Sequence, residues 1–219
     1  MVLGIVMMTT MIPTIVGLNE ATNGARDEQR RKNNNEDKGG GNDRQNNQRK
    51  GNSRKQRFHL QVTCSDDSGS QEMRQQVHNA KVYVKTDGKI YISKHPSADM
   101  DLFNGGFYTH PSFPPDNTAG FVTISPEKPP ILRWVFLDAD THQMRWGSRP
   151  DSQGHICGPF DWTNDEERIT LEGWEGWLAV QLPEDERESG IWRLYFDRDD
   201  NGAQLPAGSR GLEICMRRE

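Results

Sequence analysis

The chain has 219 residues, a formal net charge of −5 and a mean hydropathy of −0.90. Its charge is uneven: residues 19–57 carry 11 Lys and Arg against 6 Asp and Glu, whereas the rest carries 16 basic against 26 acidic residues. An acidic main body is a poor partner for nucleic acid, because phosphate contacts need Lys and Arg, and no nucleic-acid partner is expected.

Residues 1–18 carry no charge and read as a signal peptide, too short for a comfortable membrane span. With that leader removed no later segment is apolar enough to cross a bilayer, and the expected location is extracellular. Residues 19–57 are rich in Asn, Gly, Gln, Lys and Arg and read as a disordered linker or pro-segment. Basic clusters there, ending in Arg54-Lys55-Gln56-Arg57, resemble sites for processing proteases. Residues 58–219 are left to build the core, enough for one domain.

That domain reads as β throughout. Phe58 to Val62 alternates apolar and polar residues, as a half-buried strand does. Ser65 to Gln76 reads as a polar loop. Lys81 to Thr86, Asp87-Gly88 and Lys89 to Ile92 read as a β-hairpin with a type I′ turn. His95 to Ala119 is mostly loop, with a short strand expected near Leu102-Phe103 or Phe107-Tyr108. Strands are expected at Gly120 to Ile124 and Ile131 to Leu137, and again at His142 to Trp146. Gly147 to Asn164 reads as loop, with a helical turn at Asn164 to Glu167. The last strands fall at Arg168 to Leu171, Glu175 to Leu182, Ile191 to Phe196 and Gly211 to Met216. Short strands with frequent turns predict a single antiparallel β-sandwich or barrel-like domain behind a disordered N-terminal arm.

Three features suggest chemistry. Asp197-Arg198-Asp199-Asp200-Asn201-Gly202 matches the first half of a calcium loop, so Asp197, Asp199 and Asn201 are candidate metal ligands. The glutamate expected at loop position twelve is missing, and a strand end with Asn-Gly is also an ordinary turn. Next, period-two alternation puts Trp177 on one face with Glu175 and Gln181. A partly exposed ring beside polar groups suits a sugar, and Trp146, Trp162 and Tyr108 are strand-end aromatics that extend such a platform. Core filling by the same tryptophans is the competing expectation. Finally, Cys64 and Cys215 lie in the first and last strands, which suggests a disulfide joining the ends of the domain, with three reduced thiols as the alternative.

No catalytic motif is present. Asp161, Asp165, Glu166, Glu167, Glu172 and Glu175 cluster in sequence, but a glycoside hydrolase needs two carboxylates at a defined separation. The six histidines show no zinc spacing.

Gly173-Trp174-Glu175-Gly176-Trp177-Leu178-Ala179-Val180, then Gly190-Ile191-Trp192-Arg193-Leu194-Tyr195-Phe196, resembles the closing strands of small secreted proteins of filamentous fungi. Phe58-His59-Leu60 matches their opening strand. The resemblance implies export and a β fold; the family's function is unknown, so it supplies no active site. The combined expectation is an exported, non-catalytic and monomeric binding protein for cell-wall or host glycan. A secreted carbohydrate-active hydrolase using the acidic residues of 161–175 and a protein-binding effector are the alternatives.

Overall fold

A computed structural model describes residues 56–114, 117–125 and 127–219. The leader and nearly all of the basic arm lie outside them.

In chain order the elements are β1 (Leu60–Thr63), α1 (Gln71–Val77), β2 (Lys81–Lys85), β3 (Ile90–Ser93), β4 (Met100–Leu102), β5 (Gly105–Tyr108) and β6 (Gly120–Ile124). They continue with β7 (Leu132–Leu137), β8 (Met144–Gly147), β9 (Phe160–Trp162), β10 (Ile169–Leu171), β11 (Trp177–Gln181), β12 (Ile191–Phe196) and β13 (Arg210–Arg218). The expected all-β architecture is present, and it is the barrel. Six strands close an antiparallel ring in the order β1-β13-β11-β12-β3-β2, sealed where Gln61 of β1 meets Lys81 of β2. A meander, β5-β6-β7-β8, and the hairpin β9-β10 are separate sheets.

Two elements depart from the sequence reading. The Ser65 to Gln76 segment holds the α-helix. Ser70 caps it by accepting a hydrogen bond from the Met73 amide, and Met73 and Val77, four residues apart, turn inward. Residues 164–167 form a turn without a helix, and β9 emerges from the segment read as loop. The Asp87-Gly88 turn also differs in type. Only Gly88 has positive φ (77°), and its amide donates to the Lys85 carbonyl at 3.0 Å. That is a three-residue loop ending in a left-handed glycine, so Asp87 escapes the strained conformation a type I′ turn demands.

The ring does not follow chain order. β12 pairs on one side with β11 and on the other with β3, so the chain must cross β11 to reach β13. That crossover covers the outer surface of β11. Ala203 and Leu205 pack on Leu178, Val180, Leu182 and Tyr195 in a small cluster of their own. All five residues of β11 are therefore buried. Burying a Leu or Val side chain stabilises by about 2 kcal/mol, so the crossover is firmly held.

The main core is continuous. Inward residues of the barrel (Val62, Ile92, Trp177, Trp192, Ile214) join inward residues of the meander (Phe107, Phe121, Val135, Trp146) in one cluster.

The expected Cys64–Cys215 disulfide does not form; both thiols are free, as is Cys157. The register explains this. Cys215 stands opposite Thr63, one residue short of Cys64. Neighbouring residues on a strand point to opposite sides, so Cys215 shares the outward side of Thr63 while Cys64 packs against the core.

Candidate functional site

The residues singled out for sugar stacking fall mostly in the core. Trp177 is 1% exposed, and its indole N–H donates to the Ile169 carbonyl at 2.7 Å. Gln181 is fully buried and donates through Nε2 to the Ile191 carbonyl at 3.1 Å. The pairing of these two on one side of β11 holds, but that side faces the barrel interior. Trp146 is also buried, donating to the Lys85 carbonyl at 3.1 Å. Trp162 packs between Phe58 and Phe107, with ring centroids 4.8 and 5.2 Å away. The expectation that Trp177 presents a solvent-facing ring is thus corrected: a closed barrel leaves its widest side chains inside.

Glu175 precedes β11 and is half-buried. Its Oε1 pairs with Arg168 Nη1 at 3.2 Å, while Oε2 is buried without a partner. Burial pushes its carboxyl up, against the opposing pull of Arg168. The Cys215 thiol is pushed up too, by burial and by the Glu175 charge beside it. The neighbouring carboxylates of the acidic segment hold arginines of their own: Glu172 takes Arg198 at 2.8 Å and Glu167 takes Arg217 at 3.4 Å.

The calcium-like loop has a different job. The Asp197 carboxylate accepts backbone amide hydrogens from Asn201 (2.9 Å), Gly202 (2.8 Å) and Ala203 (3.0 Å). It shapes the first bend of the crossover by satisfying donors that would otherwise be stranded. Asp199 and Asn201 point to solvent around it. Among the described residues, no group of three or more His, Cys, Asp or Glu side chains is placed to hold a metal ion. Asp138, at the end of β7, repeats the device, accepting from the amides of Asp140 (3.1 Å) and Thr141 (3.0 Å).

The solvent-facing aromatics lie on the outer side of the meander. Alternation sends Phe121 and Val135 into the core and turns Val122 and Trp134, which are paired across β6 and β7, outward. On its other flank Trp134 stands opposite Gly147 of β8. Tyr108, opposite Gly120, is 45% exposed, and Ile131 and Leu132 at the start of β7 are 45% and 39% exposed. Trp134 itself is half-buried.

Two glycines let loops close in around that indole. A Cβ at Gly120 would lie 2.8 Å from His110 Cβ and 2.8 Å from the Tyr108 carbonyl oxygen. A Cβ at Gly147 would lie 2.8 Å from Asp151 Cβ. Any other residue at either position would push its loop away. His110 therefore sits over β6 and meets Trp134 edge-on, centroids 4.4 Å apart. Across the indole, Asp151 accepts from the Ser148 amide at 2.7 Å and from the Ser148 hydroxyl at 2.6 Å, and these bonds hold its carboxyl below the usual range. The result is an aromatic floor with a carboxylate on one flank, an imidazole on the other and an exposed tyrosine on the edge strand. Of the proposed platform only Tyr108 belongs to it. The central residue, Trp134, looked like an ordinary core strand position because the run Ile131 to Leu137 is apolar on both sides.

The sequence matches the fungal beta-trefoil domain family over residues 22–219. Comparison with curated proteins returns no match, and comparison with solved structures returns none. The match spans most of the chain, and this protein belongs to the fungal β-trefoil domain family.

Proposed function

We propose that the protein is an exported, non-catalytic binding protein that takes a glycan of cell-wall or host origin on the outer side of the meander. The β-trefoil is a fold often used for binding, as in lectins. The observation that carries the reading is the outward-turned, partly exposed Trp134 with Asp151 on one flank and the exposed Tyr108 on the edge strand. The flat apolar side of a sugar ring stacks on an indole while its hydroxyls reach polar groups at the rim.

Retention on chitin, glucan and cellulose tests this. The wild-type protein is expected to stay on at least one polymer, and Trp134→Ala to pass through all three. Passage of both proteins through every polymer would remove the glycan reading. The exposed Ile131 and Leu132 beside the site favour a second reading, a protein partner on the same surface. Loss of retention on Ile131→Ser with Trp134→Ala unaffected would move the contact there.

A further inference from the structure

The imidazole beside Trp134 is buried, with only one of its two nitrogens hydrogen-bonded. His110 is 4% exposed. Its Nδ1 accepts the Ser112 amide hydrogen at 3.2 Å, a bond that closes the turn after β5. To accept there, Nδ1 must be unprotonated, so the ring carries its hydrogen on Nε2. That Nε2 is buried and has no hydrogen-bond partner. The neutral ring is therefore satisfied on one side and merely packed on the other.

No hydrogen-bond acceptor reaches Nε2; the Trp134 and Phe113 rings offer an imidazolium only cation–π attraction, and the Asp151 carboxylate, across the indole, is taken up by Ser148. Below the ring is Gly120 of β6, and against it are Trp134 of β7 and Phe113 of its own loop, centroid 5.9 Å away. The charge acting on it from the turn after β8 is Arg149, of the same sign as an imidazolium. Burial and Arg149 together push the His110 pKa below its ordinary value.

We propose that His110 is an acid-sensitive latch on the Trp134 site, holding the 110–113 turn down over Gly120 when neutral and releasing it when protonated. A proton arriving from solvent binds Nδ1, the one ring nitrogen whose lone pair can take it, in competition with the Ser112 amide. The Ser112 amide then loses its acceptor and faces a second N–H. The imidazolium, desolvated and next to Arg149, gains by leaving for water. Its departure uncovers the edge of Trp134 and removes one wall of the site.

The sign follows. Because the folded-state pKa is depressed, the closed turn is fully stable above the unperturbed histidine value and weakens as pH falls through it toward the folded-state value. The glycan reading enters only in the consequence, that ligand is released or admitted on acidification.

The test uses NMR on the full chain without any ligand. The Ser112 amide protection factor and the His110 ring carbons are followed from pH 8 to pH 4, in wild type and in His110→Gln. In wild type, His110 titrates below the ordinary histidine value and the Ser112 protection factor drops with it, by about fivefold, the worth of one hydrogen bond. In His110→Gln that pH-linked drop disappears. A His110 that titrates at or above the ordinary histidine value, or a Ser112 profile unchanged by His110→Gln, overturns the latch. Because no sugar is present, the latch and the glycan reading fail separately: a latch seen in a protein that no polymer retains leaves the latch standing and removes the glycan.

Discussion

The barrel and the meander use the same alternation of side chains to opposite ends. On β11 the inward side holds Trp177 and Gln181, and the outward side is roofed by the crossover through Ala203 and Leu205. On β7 the inward side holds Val135 and Leu137, and the outward side carries a buried Phe136 and a partly exposed Trp134 between two loops seated on glycines. The difference is made by the connections. A chain that must cross β11 to reach β13 covers whatever lies beneath. Among the described residues the meander is crossed by no strand connection of that kind; its loops cover Val122 and Phe136 but leave Trp134 partly open between them. Where an aromatic residue does its work is decided by what passes over it, more than by its neighbours in sequence.

The contrast predicts unequal effects. Trp177→Ala should be the most damaging, costing about 3–5 kcal/mol by lost burial and the cavity left behind, or preventing folding. Trp134→Ala should cost less, about 1–3 kcal/mol, because that ring is only partly buried whereas Trp177 is enclosed on every side. Urea unfolding of the two variants against wild type gives the answer, and similar losses would erase the distinction between the two regions.

Asp197→Ala should come next. Three amide hydrogens lose a charged acceptor, at about 2–3 kcal/mol, and the crossover over Leu178 and Val180 loosens. The variant should show an early cleavage near Gly202 in limited proteolysis. Thermal melts should be the same in calcium and in chelator, since the carboxylate is engaged by the backbone; a melt raised several degrees by calcium would restore the metal reading of Asp197, Asp199 and Asn201.

Gly120→Ala should act on stability modestly and on the site strongly. The added methyl meets His110 Cβ and the Tyr108 carbonyl, forcing the turn up at about 1–2 kcal/mol. Polymer retention should fall as far as in Trp134→Ala while the melt drops by only a few degrees.

Much of this architecture was legible in the sequence. The strands, the hairpin at Asp87-Gly88 and a barrel-like all-β domain follow from alternation and turn residues alone. The helix was hidden because Ser65 to Gln76 is so polar; its signal was Ser70 followed by Met73 and Val77 at helical spacing. The grouping of Trp177 with Gln181 was legible, but not its direction. A buried glutamine that donates to a carbonyl at the barrel end looks, in sequence, like a solvent-facing one. The Cys64–Cys215 pair failed by a single residue of register, which no spacing in the chain reveals. Trp134 was missed because Val122, opposite it, is apolar and buried too, so β6 and β7 read as doubly buried strands. The loops that shape the site are set by close approaches at Gly120 and Gly147, and these exist only once the sheet is assembled.

The most direct measurement is hydrogen exchange by mass spectrometry, with and without an oligosaccharide of whichever polymer retains the protein. The account predicts slowed exchange in 106–112, 132–136 and 147–152, with the β11–β12 hairpin unchanged. Protection centred on 175–182 or 193–203 instead, with the meander unaffected, would contradict it and return the binding surface to the barrel.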